Sequence, residues 1–398
     1  SLFNKIVNTF LSSRRGLIDT IVSSLPQIVG LATGFFTTIL IAKGLGPEGL
    51  GVYGLILTIP NFITNISDLG IGQTALRYAA KTSALHDQES QFAVLRWAFR
   101  LRIMLIVLFS IIAIAVIPVI SSSIWHRSEL TYLFLLSLLI SFFNVLSAVP
   151  AIYFQSNNKF IINSIIRTGQ LLISFSGILI IALTRKWNIQ ILVFVTVCAS
   201  FISSVVFILS VPRKALLSSN DFSLWNTLGF FGLLKPPCTT TVSNNRDNIG
   251  HFTLYMIVSS VVVSITLQLD MWLMGAYLNN EQLGLYNAAG KFTLPLVVLL
   301  GAINTALWPR VSRATTAEQI KKLMKSTLFF SIILFVGSFL YSLFFPIFIP
   351  IIFGKRFTNG IIIGQILSFR YCIALLFIPI SVIGYSMDMA KNYWWINI

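Results

Sequence analysis

The stretch Ile103 to Ile124 reads IMLIVLFSIIAIAVIPVISSSI and holds no charged residue. A helix needs about 20 mostly apolar residues to cross the hydrocarbon core of a bilayer, so this stretch predicts a membrane-spanning helix. Nine further runs read the same way: 17–42, 49–69, 130–154, 161–183, 188–211, 252–277, 283–307, 326–350 and 361–385. Helices are expected because lipid offers no partner to an unpaired backbone group. The composition agrees. Of 398 residues, 56% are hydrophobic and only 10% charged, and 33 are Phe. Soluble domains carry roughly 25% charged residues. A soluble globular enzyme, a disordered chain and a disulfide scaffold are excluded. The fold class is an all-α polytopic membrane protein.

The net charge is +16. On a soluble chain that excess would suggest nucleic acid. Here most cations lie between apolar runs, which reads as topology and predicts no nucleic-acid partner. With the N-terminus in the cytoplasm, twenty Lys and Arg fall on the inside and six on the outside. That bias sets the orientation. Cys198, Cys238 and Cys372 are far apart, and His86, His126 and His251 stand alone, so no metal site is expected. The sequence shows no phosphate-binding loop or ATP motif, and no cofactor is expected.

The longest connection is 212–251. Phe222, Leu224, Trp225, Leu228, Phe231, Leu234 and Lys235 have the spacing of an interfacial amphipathic helix, though a plain linker fits equally well. It divides the chain into an N-terminal lobe, 1–211, and a C-terminal lobe, 252–398. The lobes resemble each other. Glu48-Gly49-Leu50-Gly51-Val52-Tyr53 recurs as Glu281-Gln282-Leu283-Gly284-Leu285-Tyr286 at an offset of 233. Thr74-Ala75-Leu76 recurs as Thr305-Ala306-Leu307, and Pro60 has a counterpart in Pro295. Six spans separate the copies. An even number gives both copies one orientation, a parallel repeat about the membrane normal, as in transporters with two lobes around a cavity. The second lobe has four spans where the first has six. Twelve are expected in all, with truncation or a natural ten-span variant as the explanation. Gly30 and Gly34 form a G-x-x-x-G motif that predicts close helix packing.

The segment ILIAKGLGPEGLGVYGLILTIPNFITNISDLGIGQTALRYAAK, Ile39 to Lys81, resembles the start of a Wzx-type polysaccharide-biosynthesis flippase of the multidrug/oligosaccharidyl-lipid/polysaccharide (MOP) exporter superfamily. The resemblance rests on Gly44-Leu45-Gly46, Glu48 to Tyr53, the Asp68-Leu69-Gly70 turn and the run to Arg77. Leu269-Asp270, Glu281 and Leu283 to Lys291 agree in the second lobe. It spans about residues 15–385. It implies a two-lobed transporter, not an enzyme. Such a transporter moves undecaprenyl-pyrophosphate-linked sugars across the bacterial cytoplasmic membrane by alternating access. Its partners are then the lipid-linked glycan, membrane lipids, and a polysaccharide polymerase and glycosyltransferases of the same route. A MATE-like cation-coupled drug antiporter is the alternative. A membrane polymerase or glycosyltransferase would need a large outer loop with catalytic groups, and the outer loops are short.

Ionisable residues within spans usually face a cavity or a partner. Asp270 and Lys291 lie at equal depth on consecutive antiparallel spans, so an ion pair is expected, structural or part of transport. Arg370 lies near the midplane of the last span, where its fork suits a pyrophosphate. These three are the candidate substrate-binding residues. Asp68, Arg77 and Arg15 are candidates for an inner gate. Asp68 either pairs with Arg14 or Arg15 or caps a helix.

Overall fold

The computed structural model describes the backbone of residues 2–216, 249–313 and 317–386. All regular structure there is helical. The order is α1 Leu2–Ile66, α2 Ile71–Ala84, α3 Gln88–Val119, α4 Thr131–Ser156, α5 Phe160–Thr184, α6 Ile189–Ser210, α7 Arg213–Leu216, α8 Ile249–Tyr277, α9 Asn280–Arg313, α10 Ala317–Leu343, α11 Phe345–Phe353 and α12 Gly360–Ser386. Among the described residues nine helices are long and apolar enough to cross a membrane. The first of these, Leu25–Ile66, is 42 residues long, about twice what one crossing needs. It breaks at Gly46 (φ 71°, ψ −172°), a backbone conformation that an L side chain would strain. The runs expected at 17–42 and 49–69 are therefore the two arms of α1. The run 326–350 also departs from expectation. It ends as a helix at Leu343 and restarts as α11, where Pro346 sits in the first turn. Most of 212–251, with its amphipathic pattern, lies outside the described residues.

Hydrophobic side chains outnumber what the core can hold. On α3 alone Ile111, Ile112, Ile114, Val116 and Val119 are exposed. Water would penalise such a surface, and hydrocarbon does not. Helix contacts are made by small residues instead. Ser137, Ser141, Ser200, Ser203 and Ser204 are buried. The hydroxyls of Ser137 and Ser141 donate to the carbonyls of Phe134 and Leu138, at 2.7 and 2.6 Å.

The described chain groups into two compact units. One holds residues 1–37 and 55–277, the other 38–54 and 278–398. In the first, α2 packs on α3 and α4, α4 on α6, and α5 on α6. A buried core lies at the end that the charge bias assigns to the cytoplasm, around Ala75, Leu95, Ala98, Phe154 and Phe207. Helix α3 starts there, well before its apolar run. Asp87 caps it by accepting from the Ser90 amide at 3.0 Å. Hydrogen bonds from the Ser90 side chain and backbone hold the Asp87 carboxyl below its ordinary range.

In the second unit α9 and α10 pack on α12. Here the repeat becomes physical. A Cβ on Gly51 would strike the carbonyl oxygen of Asn280 and lie 2.7 Å from the Gly284 amide, and a Cβ on Gly284 would strike the carbonyl oxygen of Pro47. Pro47 and Asn280 differ by 233, as do Gly51 and Gly284. The contact is therefore reciprocal, as across a two-fold axis. Asn287 adds a bond from its side-chain amide to the Leu50 carbonyl, 3.4 Å. The Gly30–Gly34 motif makes no such crossing. A Cβ on Gly34 would have no neighbour within 4 Å.

Gly51→Ala and Gly284→Ala should each lower stability by about 1–3 kcal/mol, because the atoms in the way are backbone and cannot rotate aside. Gly337→Ala should hold or raise it, since nothing lies within 4 Å of that position. Thermal unfolding of the detergent-solubilised chain tests the contrast.

Candidate functional site: a cationic cluster among spanning helices

Helix α1 ends at Ile66, and the chain turns through Ser67 to Gly70 before α2 begins. Gly70 takes the left-handed conformation, φ 75°. That turn presents Asp68. One carboxylate oxygen, Oδ1, accepts from the Gly72 amide at 3.0 Å and from Nη2 of Arg102. Asp68 thus satisfies one amide in the first turn of α2, whose N-cap is Gly70, and also forms an ion pair. Its partner comes from α3. The side chains of Arg14 and Arg15 lie outside the described residues.

Arg102 is the residue that loop counting misplaces. It precedes the apolar run 103–124, so counting cations by side places it among the twenty cytoplasmic charges. It sits instead inside α3 with only 9% of its side chain accessible, against 28% for Asp68. Its Nε is buried without a hydrogen-bond partner. Such a pair is costly to break and leaves one donor still to satisfy.

A second arginine stands nearby. Arg167 lies seven residues into α5, about 10 Å along the helix. Its Nε donates to Asn163 Oδ1 at 3.4 Å. It is close enough to Arg102 for the two charges to oppose each other. Arg167 is nonetheless exposed. An exposed guanidinium within a span requires water rather than hydrocarbon. Three residues further on, Gln170 Nε2 donates to Asn144 Oδ1 (3.2 Å) and Ser200 Oγ (3.3 Å), tying α5 to α4 and α6. Asn163, Arg167 and Gln170 thus form one polar stripe along α5. Buried hydroxyls of Thr64, Thr168 and Ser203 also lack partners among the described residues. The cluster has two cations and one anion, a surplus suited to an anionic ligand.

The other candidates are dispersed. Arg77 is exposed on α2. Asp270 is exposed on α8 in the first unit, while Lys291 is half-buried on α9 in the second. Arg370 is exposed on α12, its guanidinium carbon 5.9 Å from the centre of the Tyr371 ring. Among the described residues no three His, Cys, Asp or Glu side chains gather as metal ligands.

The polysaccharide biosynthesis protein family matches residues 17–315. A Shigella flexneri protein called a putative O-antigen transporter is 22% identical over 358 residues, covering 86% of this chain and 78% of its own. Among solved structures, the lipid II flippase MurJ in an inward closed conformation aligns with TM-score 0.65 at 19% identity, covering 94% of this chain and 76% of that one. An inward-facing multidrug resistance MATE family transporter of the MOP superfamily aligns with TM-score 0.60 at 17% identity, covering 93% and 82%. Family and fold together point to a membrane transporter rather than an enzyme. The chain belongs to the polysaccharide biosynthesis protein family and has the multi-pass helical fold of MOP-superfamily transporters.

Proposed function

We propose that this transporter is a flippase for undecaprenyl-pyrophosphate-linked oligosaccharide, carried from the cytoplasmic to the outer leaflet by alternating access. The observation that carries the reading is the surplus of guanidinium in the first unit. Arg102 pairs with the one carboxylate, Asp68, and Arg167 stands close enough to Arg102 for their charges to oppose, within helices long enough to span the bilayer. A sugar and a pyrophosphate cannot cross hydrocarbon unaided. They need water and fixed positive charge, and the arginine fork suits phosphate oxygens. The family match and the printed name of the Shigella relative support the same substrate class. A cation-coupled drug antiporter would need a carboxylate free for a cation. Within this cluster the one carboxylate, Asp68, is paired with Arg102 and leaves no such site for a cation. Lys291, Arg370 and Asp270 are proposed as further headgroup contacts, and Asp68, Arg77 and Arg15 as the inner gate. The protein is placed in the bacterial cytoplasmic membrane, beside the polymerase and glycosyltransferases of its route.

Arg167→Gln should reduce transport at least about tenfold at normal membrane abundance, because it removes charge without leaving a carboxylate unpaired. The readout is lipid-linked glycan accumulating on the cytoplasmic leaflet. Wild-type transport in this variant would remove the cluster from the mechanism. Asp68→Asn strands Arg102 and should instead cost abundance, on the order of 3 kcal/mol of stability.

Arg370→Lys keeps the charge but loses the bidentate fork, and should retain partial transport. Arg370→Ala should lose transport while reaching the membrane. Normal transport in Arg370→Ala would show that the residue is no ligand.

For orientation, single cysteines replace Asn158 and Asn279 in a chain lacking Cys198, Cys238 and Cys372. An impermeant thiol reagent on intact cells should label the Asn279 site and spare the Asn158 site. The reverse pattern would invert the topology.

A further inference from the structure

The carboxylate of the cationic cluster is held in place by backbone, and its partner is not. Asp68 stands in the turn that joins α1 to α2. Leu69 and Gly70 both take positive φ there, 42° and 75°. For leucine that conformation is strained, so the turn persists because its contacts fix it. The Ile71 amide donates to the Asp68 carbonyl at 2.7 Å, and the Ser67 amide to the Ile63 carbonyl at 3.1 Å. Gly72 leaves room for the carboxylate over its own amide, since a Cβ there would lie 2.8 Å from Oδ1. Arg102 reaches Asp68 at the end of a long side chain, and its Nε has no partner. Of the two, the guanidinium is the member able to move.

The repeat does not require this turn. The first copy runs at an offset of 233 up to Tyr53 and of 231 from Thr74, so between those points it holds two residues more than the second. The turn lies in that interval. The second copy crosses the matching stretch inside a single helix, α9. The extra residues therefore bring a carboxylate to a place where the fold itself needs only helix. Charge gives that carboxylate a use. An unopposed guanidinium among spanning helices is costly, and a second one, Arg167, stands near enough to oppose it. A carrier that works by alternating access passes through an empty state in every cycle. With the headgroup bound, a pyrophosphate opposes both arginines. With the headgroup gone, Asp68 remains beside Arg102. Asp68 is also the more accessible member, 28% against 9%, so an incoming anion meets the carboxylate before Arg102.

We infer that Asp68 is a built-in substitute for the substrate's pyrophosphate: it pairs with Arg102 while the site is empty, yields Arg102 to the headgroup, and takes it back as the headgroup leaves. The inference rests on the flippase reading and deepens it. Asp68 is then a positioning residue that acts through Arg102, beside its proposed part in the gate. Its competition for Arg102 lowers affinity and raises turnover, because only the fraction of molecules with Arg102 released binds the headgroup fully.

The test measures binding of inorganic pyrophosphate and of a short-chain polyprenyl pyrophosphate to the full chain in nanodiscs, together with transport per molecule in the membrane. Asp68→Asn should bind both about tenfold tighter than wild type and transport more slowly per molecule. Its stability, lowered by the stranded Arg102, should recover on adding pyrophosphate by more than wild type gains. In an Arg102→Gln background Asp68→Asn should leave affinity unchanged, because no guanidinium remains to compete for. Equal tightening with and without Arg102 would show plain repulsion and overturn the inference. Glu129→Gln removes the same charge from the exposed α3–α4 connection and should alter neither binding nor transport. An equal effect there overturns the inference. Wild-type affinity in Asp68→Asn overturns it alone and leaves the pair a structural one. Failure of the wild type to bind either pyrophosphate overturns the flippase reading beneath it. Where Asp68→Asn does not accumulate, hydrogen exchange of the wild type decides. Pyrophosphate should speed exchange of amides 67–72 as the turn loses its ion pair, and slowed or unchanged exchange there overturns the inference.

Discussion

The close approach of Gly51 to Asn280 and of Gly284 to Pro47 is the constraint on which the second unit depends. Two helical segments meet there backbone to backbone, with no side chain between them. In a bilayer, apolar side chains gain nothing by leaving lipid for each other, so association relies on close contact and small residues. The contact also explains why residues 38–54 join the second unit although they belong to the first repeat. The chain must fold back at Gly46 to bring Pro47 and Gly51 into place, and only glycine adopts that backbone without strain. Because the contact is reciprocal, each copy of the repeat supplies both the glycine and the carbonyl that its counterpart meets.

The first unit answers a different physical demand. Its helices are apolar outside, yet its interior carries guanidinium, carboxylate, amide and hydroxyl groups. Helix α5 shows how one segment serves both sides. Ile161, Ile165, Leu172, Ile180 and Leu183 are exposed, and Asn163, Arg167 and Gln170 occupy the polar stripe. Each polar group is oriented by a neighbour: Arg167 by Asn163, Gln170 by Asn144 and Ser200, Arg102 by Asp68. The groups that remain unpaired, Arg102 Nε among them, mark where water or ligand completes the set.

Much of the fold is legible in the sequence, because lipid imposes one rule on every span: a long apolar run must be a helix. The repeat is legible for the same physical reason that it exists, since glycine is required at both matched positions. Arg102 and Arg167 are not legible as a pair. Counting cations by side treats both as loop charges, because it reads position along the sequence and not within a helix. A signal for Arg167 was nonetheless present: it lies inside the run 161–183, flanked by Asn163 and Gln170 at helical spacing. Arg102 offers no such signal, because α3 begins 15 residues before its apolar run, and hydropathy marks the run rather than the helix. Helix α2 is hidden likewise. Its buried face is Ile71, Thr74, Ala75, Ala79 and Thr82, too polar to read as a span and too short to need to be one.

Helix α3 binds these features together. Its first half is soluble in character and capped by Asp87, and the helix packs against α2, α4 and α7. Its upper part is hydrocarbon. Arg102 stands at the change, on the face that continues through Phe109, Ala113 and Val116. A rigid helix fixes the distance between a charge and an apolar track to within its own rise per residue. Placing both on one stripe of one helix sets the charge and the apolar face in register without relying on loop conformation.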